Sequence, residues 1–207
     1  MVEFIESTHT YVNSKGIIIP SVSELVEFAF PGTYQNVPQS VLDKASQYGT
    51  AVHEILEEYD KGHTETAYQL AVADDDMLNA LGNYSDLKKK WAIYPKSQEQ
   101  IIDYKERYAG RYDKLDETNT LWDVKTNSKK MLDKWAVQLG LYYMALGVQK
   151  ESAYVIWLPK RNKAQIVPVC VWSHDECLRL LDDYEKSRVA DEKGMLGLSY
   201  DGEPTQA

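Results

Sequence analysis

Two short predicted strands around a polar turn constrain the fold of this chain more than any other feature. Residues 109–115 and 120–125 have the length and composition of strands. The four residues between them, 116–119, read Asp-Glu-Thr-Asn and are turn formers whose side chains cap their own backbone. A hairpin centred on this turn places Asp113 opposite Asp123. The register is decisive, because a slip by one residue sends one of the two aspartates to the opposite face.

The opposed aspartates predict a cation site. Directly opposed residues have Cβ atoms roughly 4.5–5.5 Å apart, where like charges destabilise the pair, and a bound cation would remove that penalty. Lys125 shares the face of Asp123, whereas Val124 points into a core while its carbonyl remains available as a ligand. This donor set suits Mg²⁺ or Mn²⁺, which can activate water beside a phosphodiester. An isolated Asp-x-Lys is more often part of a solvated strand, so the neighbouring patterns decide between these interpretations.

Composition indicates an ordinary globular protein. The 207 residues favour a single domain, 1–207, with a core at about 40–193 and a loose tail at about 194–207. No stretch approaches the roughly 20 apolar residues of a membrane span, and the first residues lack the pattern of a secretory signal. The two cysteines, Cys170 and Cys177, predict a reduced, cytoplasmic protein and are too few for a four-cysteine cluster.

Charge restricts the class of partner. The net charge of −9 counts against a protein that simply coats DNA, but it leaves a metal-dependent nuclease open, because carboxylate ligands add negative charge and the ions supply local positive potential. Three lysines directly follow the Asp-x-Lys and are candidate phosphate contacts: Lys129, Lys130 and Lys134.

The order of elements predicts an α/β fold. Helices come first, then three strands, one helix and two more strands, which indicates a mixed central sheet flanked by helices with an N-terminal helical elaboration. The helix over 132–146 is expected to cross one face of the sheet. The predicted ranges are a hairpin at 9–20, helices at 21–30, 38–60 and 64–94, a strand at 98–106, the hairpin above, the helix at 132–146, strands at 152–158 and 165–172, and a final helix from 173 to about 193.

Two helical patterns accompany the hairpin. Gly49 and His53 lie one turn apart, and a glycine inside a helix suggests that something approaches the backbone closely. Gln138 and Tyr142 are also one turn apart, with Lys134 one turn earlier, and could border a phosphate channel. Taken alone, the histidine is more often a satisfied boundary residue, and the stripe is more often the polar outer face of an amphipathic helix.

The ordered set resembles the RecB-like branch of the PD-(D/E)xK nuclease superfamily. It consists of Gly49…His53, Gly110-x-x-Asp113, Asp123-x-Lys125 and Gln138-x-x-x-Tyr142, and it spans about 95 residues. The opening HTY…G…PSVSELVEF also looks like the start of phage-encoded exonucleases of this branch. The resemblance implies a restriction-endonuclease-like core.

The resemblance also implies roles for individual residues. Metal would be bound by His53, Asp113, Asp123 and the Val124 carbonyl, with one or two Mg²⁺ or Mn²⁺ ions. Lys125 would act with Asp113 and Asp123 in catalysis, and Gln138 and Tyr142 would line the DNA groove or orient Lys125. Glu99 and Glu106 compete for the acidic position that relatives often carry on the preceding strand. The four cysteines of some relatives are missing, so no iron–sulfur cluster is expected.

The sequence therefore predicts a metal-dependent deoxyribonuclease, with an exonuclease on linear DNA in recombination or repair as the favoured form. Two alternatives stay open: a nuclease-like fold that holds DNA ends or a recombination partner without cutting, and an acidic protein that mimics DNA. A single-strand annealing or recombination protein is an open choice of partner, as is a homo-oligomer. The sequence does not decide between exonuclease and endonuclease action.

Overall fold

The protein contains eight strands and six helices in the part of the chain that the computed structural model describes, which is the backbone of residues 2–195 and the side chains of residues 2–190. In chain order they are β1 (Glu3–Ile5), β2 (Thr10–Val12), β3 (Ile18–Ile19), α1 (Val22–Ala29), α2 (Gln39–Asp60), α3 (Thr64–Ala71), α4 (Asp75–Trp91), β4 (Pro95–Tyr104), β5 (Tyr108–Asp116), β6 (Leu121–Lys125), α5 (Leu132–Leu146), β7 (Ser152–Trp157), β8 (Gln165–Cys170) and α6 (His174–Met195).

A five-stranded mixed sheet forms the centre, in the order β4-β5-β6-β7-β8. Only the β6–β7 pair is parallel, and α5 provides the crossover that a parallel connection needs. A separate antiparallel sheet of β1, β2 and β3 lies at the N-terminal end. The predicted fold class, a mixed sheet flanked by helices after an N-terminal helical region, is confirmed.

Two hydrophobic cores cover the faces of the central sheet, and β6 shows how the chain alternates between them. Leu121 packs into a core with α1, α5 and α6, whereas Trp122 and Val124 pack into a core with α2, α3 and α4. Because successive side chains of a strand point to opposite faces, Asp123 and Lys125 project on the side of α5. Val124 is buried, as predicted from its position between them.

Two glycines, Gly110 on β5 and Gly140 on α5, allow neighbouring elements to approach closely. A Cβ at Gly110 would lie 2.7 Å from Val22 Cγ2 and 2.8 Å from Tyr142 Cε1, so β5 could not pack against α1 and α5 with a larger residue there. A Cβ at Gly140 would lie 2.7 Å from the carbonyl oxygen of Trp172. The position of α5 on the sheet therefore depends on both residues.

Helix ends follow their sequence signals. Ser21 and Glu24 form the predicted capping box at the start of α1: the Glu24 N–H donates to Ser21 Oγ, and the Ser21 N–H donates to Glu24 Oε2. Asp74 caps α4 by accepting hydrogen bonds from the N–H groups of Asp76 and Met77. The acidic triplet at 74–76 is thus the start of a helix.

Several boundaries differ from the predicted ones. Pro95, expected only to break a helix, is the first residue of β4, where a proline needs no ladder hydrogen bond. Glu106 lies beyond the end of β4, in a turn with positive φ. Strand β1 was not predicted, because its three residues are too few to show a period. Helix α6 extends to Met195, and the rest of the predicted tail, 196–207, lies outside the described residues. None of the helices within the described range has the length and apolar character to cross a lipid bilayer.

A buried ion cluster ties α2 to the sheet and to α4. The Asp60 carboxylate, with a fully buried side chain, lies 2.7 Å from Lys114 Nζ and also pairs with Lys88. The Tyr84 hydroxyl donates to the same carboxylate at 2.6 Å. Because Lys114 adjoins Asp113 on β5, this cluster joins the last turn of α2 to the strand that carries the predicted site.

We predict that Asp60→Ala will lower the free energy of unfolding by roughly 3–5 kcal/mol, because it leaves the ammonium of Lys114, with a 3% exposed side chain, buried without its carboxylate. Chemical denaturation followed by circular dichroism measures the change. Lys61→Ala on the same helix is the matched control, since its pairs with Glu57 and Glu58 are exposed, and it is expected to leave stability nearly unchanged. Equal losses in the two variants would contradict this account.

Candidate metal centre

The centre forms where β5 and β6 part. Their backbone ladder pairs Leu115 with Leu121 and Lys114 with Trp122, which is the predicted register, and then ends. The next pair would be Asp113 and Asp123. Instead, the Val124 N–H donates to Asp113 Oδ2 at 2.6 Å, so a side chain takes the place of a backbone partner. The strands separate without leaving a buried N–H unsatisfied.

Glu99 joins the centre from β4. It stands between the pairs Gln98–Lys114 and Gln100–Tyr112, so the register places it across from Asp113. Its φ of 50° is left-handed, which is a strained conformation for a residue with a side chain and is typical of functional positions. The carboxylate pairs with Arg111, whose Nε lies 3.1 Å from Glu99 Oε2. Sequence reasoning did not single out Arg111, although it directly follows Gly110.

His53 reaches the same place from α2. Its Nδ1 lies 3.7 Å from Glu99 Oε1 and 3.6 Å from Asp113 Oδ1. One ligand atom from each of these three residues lies within 4.8 Å of the others. Burial lowers the pKa of His53, but the carboxylates of Asp113 and Glu99 outweigh it and raise that pKa above its ordinary value.

An open cavity of about 460 Å³ gives access to this trio, and Gly49 lines it one helical turn before His53. A Cβ at Gly49 would lie 3.4 Å from Thr126 Oγ1, which is an ordinary contact. Packing within the described residues therefore does not require the glycine, unlike Gly110 and Gly140. The side of Gly49 that faces the cavity remains available for close approach of a ligand.

Asp123 stands beside the trio but is turned toward other partners. Its Oδ2 lies 2.6 Å from Lys125 Nζ, and Gln138 Nε2 lies 3.3 Å from its Oδ1. Burial raises the pKa of the Asp123 carboxyl to about 6, with Asp113 adding to the effect and Lys125 opposing it. The Lys125 ammonium is therefore the group that balances the charge on Oδ2.

The predicted stripe on α5 faces inward. Gln138 Nε2 donates to the Tyr142 hydroxyl at 3.1 Å, and the same amide group reaches Asp123. Tyr142 is buried, and its pKa is raised by burial and by the carboxylates of Asp123 and Asp113. The interpretation of the stripe as a polar outer face is therefore wrong for these two residues.

The remaining candidates lie at differing distances from the centre. Glu106 lies in the β4–β5 turn, where it accepts hydrogen bonds from the N–H and hydroxyl of Ser14. Of the two competing glutamates, Glu99 is therefore the one that lies with His53 and Asp113. Lys134 pairs with Glu27 beside the Lys125 end of β6. Lys130 donates to Gln165 and lies over the Trp157 ring, and Lys129 is exposed.

The donor set fits a hard divalent cation. Carboxylate oxygens and one imidazole converge, and the buried Asp123 carboxylate, paired with Lys125, is a further anionic ligand beside them. A cation there would also remove the mutual repulsion of three partly or fully buried carboxylates on three adjacent strands. The residues present therefore suit Mn²⁺ or Mg²⁺, with Glu99 added to the predicted ligands.

We predict that Mn²⁺ will raise the melting temperature of the protein and that Glu99→Gln or Asp113→Asn will weaken Mn²⁺ binding at least tenfold, because each change removes a charged ligand. Isothermal titration calorimetry and thermal unfolding measure the two effects. Glu58→Gln is the matched control, since it removes the same charge from α2 at a side chain that pairs with Lys61 and His63 instead. Mn²⁺ binding that is equally strong in all variants would exclude this centre.

The chain matches no protein-family model and no curated protein sequence. Among solved structures it is similar to the crystal structure of SSO0001, with 16% sequence identity and a TM-score of 0.35 over 64% of this chain and 70% of that one. A likeness at this level carries no inference about function.

Proposed function

We propose that the protein is a divalent-metal-dependent phosphodiesterase that hydrolyses DNA. The observation that carries this proposal is the convergence of His53, Glu99 and Asp113 beside the buried Asp123–Lys125 pair. Carboxylates on adjacent strands can hold a hard cation, and a neighbouring lysine can contact water or phosphate, which is one arrangement that supports phosphodiester hydrolysis. A bound Mg²⁺ or Mn²⁺ supplies Lewis-acid chemistry, lowering the pKa of water and polarising a phosphoryl oxygen.

The protein's own groups have distinct tasks in this proposal. His53, Glu99 and Asp113 hold the ion, with Asp123 completing the anionic side. Lys125 neutralises Asp123 before substrate binds and then offers its ammonium to the attacking water or to a phosphate oxygen. A lysine held at 2.6 Å from a carboxylate keeps its proton, and Asp123 and Asp113 indeed raise its pKa against the effect of burial.

Gln138 and Tyr142 act behind the ligands. The Gln138 amide is shared between Asp123 and the Tyr142 hydroxyl, so it fixes the orientation of the Asp123 carboxylate. The Val124 N–H performs the same service for Asp113. These hydrogen bonds limit the rotation of both carboxylates, which is the preorganisation that a hydrolytic metal centre requires.

The resemblance to the RecB-like branch extends the proposal to an exonuclease that acts on ends of linear DNA in recombination or repair. The ordered glycine, histidine, aspartate, lysine, glutamine and tyrosine positions support this extension. The same residues would serve an endonuclease equally well, so the choice between the two depends on substrate topology.

We expect purified protein with Mg²⁺ or Mn²⁺ to degrade end-labelled linear DNA and to leave covalently closed circular DNA intact. EDTA should abolish the activity. A time course analysed on denaturing gels measures both activity and polarity, because the label is lost first from the attacked end. Cleavage of the circle would replace the exonuclease by an endonuclease, and stable binding of linear DNA with no product in either metal would contradict hydrolysis altogether.

Lys125→Ala is expected to lower kcat at least 100-fold while Mn²⁺ binding by calorimetry stays within about threefold, because the lysine assists the reaction without ligating the ion. Lys186→Ala on α6 is the matched control, since it removes the same charge from an exposed side chain that pairs only with Asp183 among the described residues. If both variants digest DNA at the wild-type rate, the catalytic assignment is wrong.

A further inference from the structure

Two cavities lie at the Lys125 end of β6, and Tyr34 lines both of them. One cavity, of about 330 Å³, is lined by Lys125, Gln138 and Tyr34. A second cavity, of about 620 Å³, is lined by Tyr34, Lys129 and Lys130. Tyr34, Asn127, Met131 and Lys134 line both cavities, so the two adjoin at these residues and are together called the groove. Lys125 and Gln138, the partners of Asp123, line its first cavity.

The Tyr34 ring is exposed but held in position. The residue is 43% exposed and lies in the loop between α1 and α2. The hydroxyl donates to Met131 Sδ at 3.3 Å, and Lys134 Nζ lies 5.1 Å from the ring centroid. An exposed aromatic ring that is already held by these two contacts loses little conformational entropy on binding. It is therefore suitable as a stacking surface.

Four lysines and two acidic residues line the groove together with apolar side chains: Lys125, Lys129, Lys130 and Lys134, with Glu27 and Asp133. Lys134 is paired with Glu27, but Lys129 is exposed and Lys130 is held by the neutral amide of Gln165. Lysines around an exposed aromatic ring are a combination that binds single-stranded nucleic acid. The ammonium groups contact the phosphates, and the ring stacks on a base.

The volume of the first cavity and the single exposed ring of Tyr34 favour an unpaired nucleotide over a base pair as the ligand. A cavity of about 330 Å³ falls at the lower end of the range for small-molecule pockets. A base inside a duplex has both faces covered by its neighbours, whereas an unpaired base can present a face to Tyr34. An apolar peptide segment would cover Lys129 and Lys130 without offering them an anionic partner.

We propose that this groove binds an unpaired nucleotide of the strand that is cut at the metal centre, with its base stacked on Tyr34 and its phosphates contacted by Lys130 and Lys134. The inference depends on the proposed function only for the position of the strand beside the metal centre. It assigns to Tyr34 a role in binding single-stranded segments, whether these are frayed ends or overhangs.

Single-stranded DNA oligonucleotides that carry 2-aminopurine at successive positions from one end test the proposal. They are titrated with the full chain carrying Lys125→Ala, in Mg²⁺, so that the strand stays intact. We expect fluorescence quenching at a defined position. Adding Tyr34→Leu is expected to abolish this quenching and to raise Kd about tenfold, whereas adding Tyr34→Phe keeps both within about twofold, because the ring remains.

The matched control is Tyr94→Leu. Tyr94 is 67% exposed and precedes Pro95, which pairs with Asp116 at the turn end of the β5–β6 hairpin, opposite to Lys125. Equal Kd values for Tyr34→Leu and Tyr34→Phe would overturn the stacking site. Tyr34-dependent binding of a blunt duplex as tight as that of the single strand would overturn the preference for an unpaired base. Tyr34-dependent binding of an apolar peptide in place of DNA would overturn the nucleotide assignment.

Failure of the proposed function gives a different result. A wild-type protein that cleaves no DNA with Mg²⁺ or Mn²⁺, but whose oligonucleotide binding still depends on Tyr34, would lose the hydrolase assignment and keep this binding site. A protein that cleaves DNA at the same rate and affinity with Tyr34→Leu would keep the hydrolase assignment and lose this site.

Discussion

The end of the β5–β6 ladder at Lys114 and Trp122 is the constraint on which the rest of the candidate centre depends. Two strands that continued to pair would place the aspartates face to face with only water between their charges. Because the Asp113 carboxylate accepts the Val124 N–H, the strands separate while their hydrogen bonding stays complete. His53 from α2 lies beside Asp113 where the strands part, and Asp123 is directed toward Lys125 and Gln138.

The carboxylates of Glu99, Asp113 and Asp123 repel one another, and each is partly compensated by a separate partner. Each carboxylate has a different cationic or polar partner: Arg111 for Glu99, the Val124 N–H for Asp113, and Lys125 for Asp123. The two side-chain partners, Arg111 and Lys125, each carry one positive charge, which is less than the charge of a divalent ion. The fold thus holds acidic groups in a compact arrangement that becomes more favourable when positive charge enters.

Sequence reasoning reached the hairpin and its register because turn formers at 116–119 fix the centre of pairing, and alternation then determines which side chains share a face. It could not choose between Glu99 and Glu106, since that choice depends on a backbone turn with positive φ that no periodicity reveals. Taken alone, the positions of Gln138 and Tyr142 favoured a polar outer face. That interpretation failed because α1, α6 and the sheet cover α5 on nearly all sides, and such burial arises only when the layers assemble. Tyr34 gave no signal, because a lone tyrosine in a loop has no pattern.

Helix α2 carries both Asp60 of the buried ion cluster and His53 of the candidate centre, so the two sites move together. His53 and Asp60 are seven residues apart on one straight helix, a separation of roughly 10 Å along its axis. With Asp60 fixed to Lys114, a tilt of about 5° would carry the imidazole by roughly 1 Å, beyond the tolerance of about 0.5 Å for a productive ligand geometry. The angle of α2 against the sheet thereby determines whether the His53 imidazole meets the carboxylates of Glu99 and Asp113, and a substitution at Asp60 would alter the geometry of this trio.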